Sequence, residues 1–203
     1  MPAAPRRSPT WLGTRAARLY QCSIPLERDA LEQALELAHP ATEERLLDVA
    51  SGTGALLRML AARSTRPERA VGLDRSPGML AVSRPLPGSW ALVEGDARAM
   101  PFHDHSFDVI VLCYLLHLLR PRDRVRVLLE VRRVVRPGGR IVIVTVDAGS
   151  SVLRSVLRAL PRWTGLRRID LASELAATRL QPVRSCAVRR GWPSMCWLAE
   201  PTL

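Results

Sequence analysis

Five short apolar runs divide the middle of the chain, and each is bounded by a polar or small-residue loop. They are Leu46–Leu47 before Asp48, Ala70–Leu73 before Asp74, Leu92–Val93 before the acidic loop at 94–96, Phe107–Leu112, and Arg140–Val146 after the turn Arg136–Gly139. The fourth run is apolar at nearly every position, as expected of a strand buried on both faces. Together the runs predict an open parallel sheet, and ligands of such sheets bind beyond the carboxyl ends of the strands.

Helical spacing of apolar residues predicts the elements that flank these strands. The predicted helices cover residues 11–20, 26–38, 55–62, 150–163 and 171–178, and an arginine-rich pattern between 120 and 136 adds another. Residues 183–190 and 194–199 flank Gly191-Trp192-Pro193 and are predicted to form a β-hairpin.

Length and composition indicate one globular domain. The chain has 203 residues, of which 47% are hydrophobic, so it can bury a core without metals or disulfides. The Pro/Arg-rich residues 1–10 are expected to be disordered. No run of 18 apolar residues is present, and the first residues lack the apolar segment of a signal peptide. We therefore expect no transmembrane segment and a cytoplasmic location.

The cysteines and histidines form no metal-binding pattern. Cys22, Cys113, Cys186 and Cys196 contain no CxxC pair and no zinc-type spacing, which favours a reducing compartment. The segment His103–His105 lies in a predicted exposed turn without further ligands, so no metal is expected.

The net charge of +11 comes entirely from arginine, because lysine is absent. An imbalance of this sign attracts nucleic acid, anionic membranes or anionic substrates. The arginines are scattered over predicted helix faces, so solvated helix surfaces and a basic binding patch both stay open. Attraction to an anionic partner should weaken with salt.

The segment LLDVASGTGAL, residues 46–56, is the most informative of the chain. A strand leads through a small-residue turn into a helix, and glycines in such a turn let the backbone approach a ligand. The dinucleotide fingerprint GxGxxG is not met, because Ala50 and Leu57 replace its first and third glycines. An ordinary glycine-containing β–α turn is the alternative. Asp74, 20 residues beyond Gly54 at the end of the next strand, favours a ribose-binding carboxylate.

Five segments in this order and spacing resemble the Rossmann-like (class I) S-adenosylmethionine-dependent methyltransferases, most closely the ubiquinone/menaquinone-biosynthesis type. They are LLDVASGTG, VGLDRSPGML, EGDARAMPF, HSFDVIV and RPGGRIVIV. The resemblance is strong over residues 46–146 and weaker to Pro201. It implies an α/β fold with a seven-stranded, mostly parallel sheet, an antiparallel last strand and helices on both faces. It also implies a single domain, 1–203, with lid helices at 11–40, a cofactor-binding core at 46–147, and a substrate-covering segment and hairpin at 148–203.

The resemblance implies S-adenosylmethionine as cofactor, S-adenosylhomocysteine as product, and two groups of residues that hold the amino-acid end and the ribose. Asp48 is expected to attract the cationic amino group, and Asp74 to hold the ribose hydroxyls. The loop around them consists of Ala50, Ser51, Gly52, Thr53 and Gly54.

Further residues match positions around the adenine and the methyl group. Arg75 and Met79 flank the adenine, although Met79 is equally plausible as core. Asp96 is expected to accept from the adenine amino group, and the Ala97 N–H to donate to the ring. Cys113 and Tyr114 are expected to line the floor near the methyl group.

His117 is the candidate general base, because it follows the fourth strand and a histidine titrates near neutrality. A structural histidine bonded to backbone is the alternative. Tyr20, on the first predicted helix, is the candidate lid contact, with packing as its alternative role.

Three functions stay open on the sequence alone. The first is methyl transfer to a small-molecule acceptor of anionic or lipid-like character, with no stable nucleic-acid partner. The second is an RNA methyltransferase, which the charge favours but for which no RNA-binding appendage is visible. The third is a S-adenosylmethionine-binding protein without catalysis; an NAD-binding dehydrogenase is disfavoured by the incomplete glycine pattern.

Overall fold

The computed structural model describes residues 24–83, 85–147 and 169–202. The helices are α1 (Ile24–Ala38), α2 (Ala55–Ala61), α3 (Pro77–Ala81), α4 (Pro121–Val134) and α5 (Leu171–Ala177), with a 3-10 turn at Leu116–Leu118. The strands are β1 (Arg45–Val49), β2 (Arg69–Asp74), β3 (Ala91–Glu94), β4 (Phe107–Cys113), β5 (Val135–Val146), β6 (Leu180–Val188) and β7 (Ser194–Pro201). The predicted helices at 11–20 and 150–163 and the predicted disorder at 1–10 lie outside the described residues.

All seven strands join in one sheet with the order β3-β2-β1-β4-β5-β7-β6. The strands β1 to β5 pair in parallel, whereas β7 is antiparallel to both β5 and β6. This confirms the predicted seven-stranded, mostly parallel architecture with an antiparallel last strand. The strand order reverses between β1 and β4, and a crevice at such a reversal is where ligands of open α/β sheets bind.

Alternating side chains of the central strands build a core on each face of the sheet. On one face, Leu47 and Ile110 pack with residues of α4 and α5. On the other, Leu46 and Val109 pack with α1 and α2. Because both faces are covered, β1 and β4 are apolar at most positions, which explains why their runs were visible in the sequence.

The predicted turn at residues 136–139 is wrong, since the structure includes these residues in β5. The strand begins at Val135, which pairs with Phe107, and the pairing register shifts before Arg140 pairs with Val109. The shift accommodates the extra residues, and Gly139 is needed there because a Cβ would lie 2.7 Å from the Asp108 carbonyl oxygen. A β-bulge, like a turn, favours glycine, so the sequence Pro-Gly-Gly does not distinguish the two.

Other boundaries differ by a few residues from the sequence prediction. The helix predicted from Leu26 begins at Ile24, and the third strand ends at Glu94. The hairpin strands predicted at 183–190 and 194–199 are Leu180–Val188 and Ser194–Pro201. No helix among the described residues is both long and apolar enough to cross a membrane.

Candidate functional site

A cavity of about 570 Å³ opens where the carboxyl ends of β1 to β4 meet. Its lining includes nine of the residues predicted to form the site and the predicted base: Ala50, Gly52, Asp74, Arg75, Met79, Asp96, Ala97, Cys113, Tyr114 and His117. The residues converge from four strand ends and the loops that follow them, as the topology requires. The adenine-side, ribose-side and floor residues predicted from the sequence therefore share one cavity.

The loop after β1 is held in a compact left-handed turn. Ala50, Gly52 and Gly54 all have positive φ angles, of 59°, 55° and 74°. The Ser51 N–H donates to the Leu73 carbonyl at 3.0 Å, and the Gly54 N–H donates to the Ser51 carbonyl at 2.8 Å. A Cβ on Gly54 would lie 2.9 Å from the Cβ of Ser83, so this position requires glycine. At Ala50 an L-residue tolerates the same backbone region at an energetic cost.

Asp74 fixes this loop to the end of β2. Its Oδ2 accepts the Gly52 N–H at 2.9 Å and its Oδ1 accepts the Ser76 N–H at 2.8 Å. An ionised carboxylate has about four lone-pair sites, so each oxygen keeps one for a further donor. Asp74 is thus a loop anchor that can still accept hydrogen bonds from the cavity side.

Asp48 lies beneath the cavity rather than on its lining. It is 2% exposed, and its Oδ2 has no hydrogen-bond partner in the described part of the chain. Burial, reinforced by the nearby charge of Asp74, raises the pKa of Asp48 to about 8. A buried acid in this state favours a cation placed close to it, because a positive charge would offset the cost of ionisation.

Two hydroxyls of the loop share this lack of partners. Ser51 Oγ and Thr53 Oγ1 are buried without hydrogen-bond partners among the described residues. Buried polar atoms are paired in most native structures, so a cluster of unpaired ones marks where a polar ligand or ordered water belongs. Like Asp48 and Gly54, Ser51 and Thr53 are not part of the cavity lining.

At the far end of the cavity Asp96 is already engaged. Arg98 donates to both of its carboxylate oxygens, from Nε at 2.9 Å and from Nη2 at 2.6 Å. This hydrogen bonding by Arg98 holds the pKa of Asp96 below its usual value. Arg98 also lies 3.5 Å from Asp123 of α4. The predicted adenine acceptor is therefore a charged, pre-positioned carboxylate, and Met79 and Ala97 lie on the same cavity wall.

Near the end of β4, Cys113, Tyr114 and His117 line the cavity. The Tyr114 hydroxyl and the Ser194 hydroxyl are 2.8 Å apart, which fixes the ring. Burial lowers the pKa of His117 to about 4, and its Nδ1 has no partner among the described residues. Burial raises the pKa of the Cys113 thiol well above its usual value. His117 is thus neutral at pH 7 with one nitrogen unused, and Cys113 is a protonated thiol.

Sequence reasoning missed several residues of the cavity wall. They are Glu27, Leu73, Ser76, Gly95, Arg98, Leu115, Leu118, Leu119, Val127, Val146 and Trp192. The Trp192 N–H donates to the Leu26 carbonyl at 2.6 Å, which brings the hairpin turn against the first turn of α1, beside Glu27. No local signal could have found this long-range contact, although Ser76 and Arg98 lie next to predicted site residues. Tyr20, the predicted lid contact, lies outside the described residues.

The histidines at 103 and 105 take part in local contacts on another surface. Asp104 pairs with Arg133 at 2.8 Å, and the His105 Nδ1 lies 2.9 Å from the Val135 carbonyl oxygen. Among the described residues no cluster of histidine, cysteine or acidic side chains has the arrangement of a metal site.

Comparison with known proteins identifies a methyltransferase domain over residues 47–143. Relatives named malonyl-[acyl-carrier protein] O-methyltransferase include one from Serratia marcescens, 34% identical over 87% of this chain and 65% of the relative. Another, from Methylococcus capsulatus, is 32% identical over 94% of this chain and 74% of the relative. A demethylmenaquinone methyltransferase of Thermotoga maritima is 37% identical over 55% of this chain and 48% of the relative. The chain thus spans between about half and three quarters of the length of these relatives.

Solved structures share the fold. In the complex of the Haloferax volcanii Trm112 methyltransferase activator with a putative methyltransferase, the matching chain has a TM-score of 0.79 at 16% identity. The match covers 93% of this chain and 96% of that one. At this identity the likeness establishes the architecture.

Proposed function

Because this chain belongs to the Rossmann-like (class I) S-adenosylmethionine-dependent methyltransferases, we propose that it transfers a methyl group from that cofactor to a small-molecule acceptor. The single observation that carries the proposal is the cavity at the ends of β1 to β4, which is lined by nine of the thirteen cofactor residues expected of the family. The cofactor supplies an electrophilic methyl group on a sulfonium. The protein has to align an acceptor with that group and exclude water.

The residues present fit this cofactor. The unpaired buried atoms Asp48 Oδ2, Ser51 Oγ and Thr53 Oγ1 belong to the end of β1 and to the loop after it, which would face its amino-acid end. Asp74 keeps lone pairs for two ribose hydroxyls, and Asp96 is held ready for the adenine amino group. The cationic cofactor also matches the buried acid at Asp48, whose ionisation it would favour.

His117 supports acceptor deprotonation. It is neutral at pH 7 and lines the cavity, and its Nδ1 is buried without a partner among the described residues. Burial lowers the pKa of His117 to about 4, which makes it a weak base at pH 7, so its role as base rests on its place in the cavity and would require the bound acceptor to raise this pKa. Its edge-to-face packing on Tyr114, with ring centroids 6.1 Å apart, orients the imidazole.

The acceptor side of the cavity favours a lipid-like molecule. Leu115, Leu118 and Trp192 provide an apolar wall there, and Leu118 is 55% exposed at the surface. Apolar walls with few polar groups bind apolar ligands by removing their surface from water. The acceptors named for the relatives, a demethylmenaquinone and a malonyl group on acyl-carrier protein, are the first to test on this chain.

An acidic group on the acceptor or on its carrier is supported by the arginines beside Leu118. Arg120, Arg122 and Arg126 are exposed at the start of α4 and have no ion-pair partner among the described residues. The acids of the same helix, Asp123 and Glu130, are instead paired with Arg98 and Arg133. The surface next to the cavity is therefore positively charged without local compensation, and it attracts anions at low salt.

A cytoplasmic location stays a prediction.

Calorimetric titration tests the cofactor part of the proposal. We expect S-adenosylmethionine and S-adenosylhomocysteine to bind saturably and NAD⁺ not to bind. Asp74→Ala should weaken cofactor binding by about 1–3 kcal/mol, the cost of losing a charged acceptor. Binding of NAD⁺ without S-adenosylmethionine would remove the proposal, and unchanged affinity in the variant would place the ribose elsewhere.

Steady-state transfer of a labelled methyl group tests the acceptor part. If the acceptor or its carrier is anionic, Arg122→Glu should raise the KM for it at low salt and leave cofactor affinity unchanged. Arg69→Glu is the charge-matched control, because Arg69 is an exposed residue at the opposite, amino end of β2. Equal effects of the two substitutions would show a non-specific charge effect. Methylation of RNA in place of small acceptors would favour the nucleic-acid function.

A further inference from the structure

Cys186 and Cys196 face each other across the terminal hairpin. They are direct register partners on the antiparallel strands β6 and β7. Cys196 belongs to the core cluster on the α1 face of the sheet and the partly buried Cys186 packs against it, so the two side chains point the same way. No part of the proposed methyl transfer uses either thiol.

The spacing suits a disulfide. Directly opposed residues of an antiparallel pair have Cα atoms about 4.5–5.5 Å apart, whichever type of pair they form. Disulfides span Cα separations of about 4.4–6.8 Å. The two cysteines can therefore be joined without a change of register.

The third described cysteine supplies an internal comparison. Cys113 pairs in register with Val144, which in turn pairs with Cys196, so Cys113 and Cys196 are separated by the whole of β5. Two strand spacings amount to about 9.5 Å. This exceeds the reach of a disulfide, so Cys113 has no disulfide partner among the described residues.

The two thiols differ in access. Cys186 is partly exposed on β6, the last strand at this edge of the sheet, whereas Cys196 is fully buried. The Cys196 Sγ donates to the Ala30 carbonyl oxygen at 3.7 Å. Ala30 lies one turn along α1 from Glu27, which lines the cavity. The pair thus connects the edge of the sheet with the helix beside the site.

We infer that Cys186 and Cys196 are a redox-active pair that forms a reversible cross-strand disulfide with a low-molecular-weight disulfide as oxidant. The Cys186 thiolate attacks glutathione disulfide, forms a mixed disulfide and releases one glutathione. The Cys196 sulfur, on losing its proton, then attacks the Cys186 sulfur and releases the second glutathione. Two protein thiols are oxidised, one glutathione disulfide is reduced to two thiols, and dithiothreitol reverses the exchange.

Oxidation removes a contact between β7 and α1. The disulfide has no thiol proton, so the Ala30 carbonyl loses its donor in Cys196. Because burial and the neighbouring Cys186 raise the pKa of Cys196 to about 12, the second exchange step is slow at neutral pH and faster in alkali. We expect the oxidised protein to bind S-adenosylhomocysteine more weakly than the reduced protein. This second part rests on the proposed function.

Mass spectrometry of the full chain tests the bond itself. With Cys22 changed to serine, incubation with glutathione disulfide should lower the intact mass by 2 Da. Trypsin should then release residues 185–189 joined to residues 191–203, since Arg184, Arg189 and Arg190 are cleavage sites. Cys186→Ser should abolish the joined peptides, and Cys113→Ser should not. Two free thiols, or glutathione carried separately on each cysteine, would overturn the inference.

Calorimetry with S-adenosylhomocysteine tests the effect on the site. The oxidised protein should bind several-fold more weakly, and dithiothreitol should restore the affinity. Cys186→Ser should bind equally well before and after treatment. Equal affinities of the oxidised and reduced protein would overturn the link to α1, whereas no binding by the reduced protein would instead refute the proposed function.

Discussion

Cofactor binding at pH 7 should release a proton from Asp48. Burial raises the pKa of this carboxyl to about 8, so about 0.9 of it is protonated at pH 7 before binding. A nearby opposite charge lowers the pKa of a carboxyl by about 1–3, and the cofactor carries a sulfonium and an ammonium. The bound pKa then lies at about 5–7, which corresponds to a release of about 0.4–0.9 proton per site at pH 7.

The release is measured by calorimetry in two buffers with different ionisation enthalpies, such as phosphate and Tris. The slope of the observed enthalpy against the ionisation enthalpy gives the proton number. Asp48→Asn is the matched control, since it keeps the shape of the side chain and cannot titrate. Protons released to the buffer make this slope negative, so the slope of the wild type minus that of the variant should be about −0.4 to −0.9 at pH 7 and close to zero at pH 9.5, where Asp48 is already ionised. Equal slopes in the two proteins at pH 7 would refute the reasoning.

The same substitution has a consequence for stability. An acid whose pKa is raised by folding stabilises the folded state only while it is protonated, and that contribution is lost as pH rises from about 4 through about 8. Asp48→Asn should therefore lose less unfolding free energy than the wild type between pH 5 and pH 8 in urea titrations. A parallel loss in both proteins would contradict the buried placement of Asp48.

Three further substitutions test other parts of the structure. Arg124→Ala should destabilise the fold by about 3–5 kcal/mol in urea unfolding, because it leaves the Glu174 carboxylate, 16% exposed, without its partner; a loss under 1 kcal/mol would contradict a buried ion pair. His117→Gln should slow methyl transfer, and full activity of the variant would assign His117 to structure. The variant should also lose less unfolding free energy than the wild type as pH falls from 6.5 towards 4, because the buried histidine of the wild type resists protonation in this range. Gly54→Ala should lower the free energy of unfolding by at least about 1–2 kcal/mol, because the residue has a positive φ and its new Cβ would meet Ser83. Gly88→Ala should have little effect, because the space around its Cβ position is open. Equal shifts of the two melting temperatures would count against the tight turn.

Much of the fold was visible in the sequence because its strands end at recognisable residues. Asp48, Asp74 and the acidic loop near Asp96 mark the carboxyl ends of three strands, and the apolar run from Phe107 marks a strand buried on both faces. Parallel topology then brings those ends to one edge, so the position of the cavity followed from local patterns alone.

The remaining features depend on long-range contacts that no local pattern encodes. Trp192 reaches the cavity because its N–H binds the Leu26 carbonyl, and Glu27 reaches it because α1 packs across the sheet. The engagement of Asp96 by Arg98 depends on how the loop after β3 folds back. The irregular start of β5 was mistaken for a turn, because the residues that relieve a register shift are the same ones that make turns.

A crystal structure of the protein with S-adenosylhomocysteine is the most direct test of whether the cofactor binds in the cavity at the ends of β1 to β4. We expect the ribose hydroxyls to hydrogen-bond the Asp74 carboxylate and the adenine to lie against Met79 and Ala97. A nucleoside bound outside this cavity, or side chains filling the space in front of Asp74, would contradict the account.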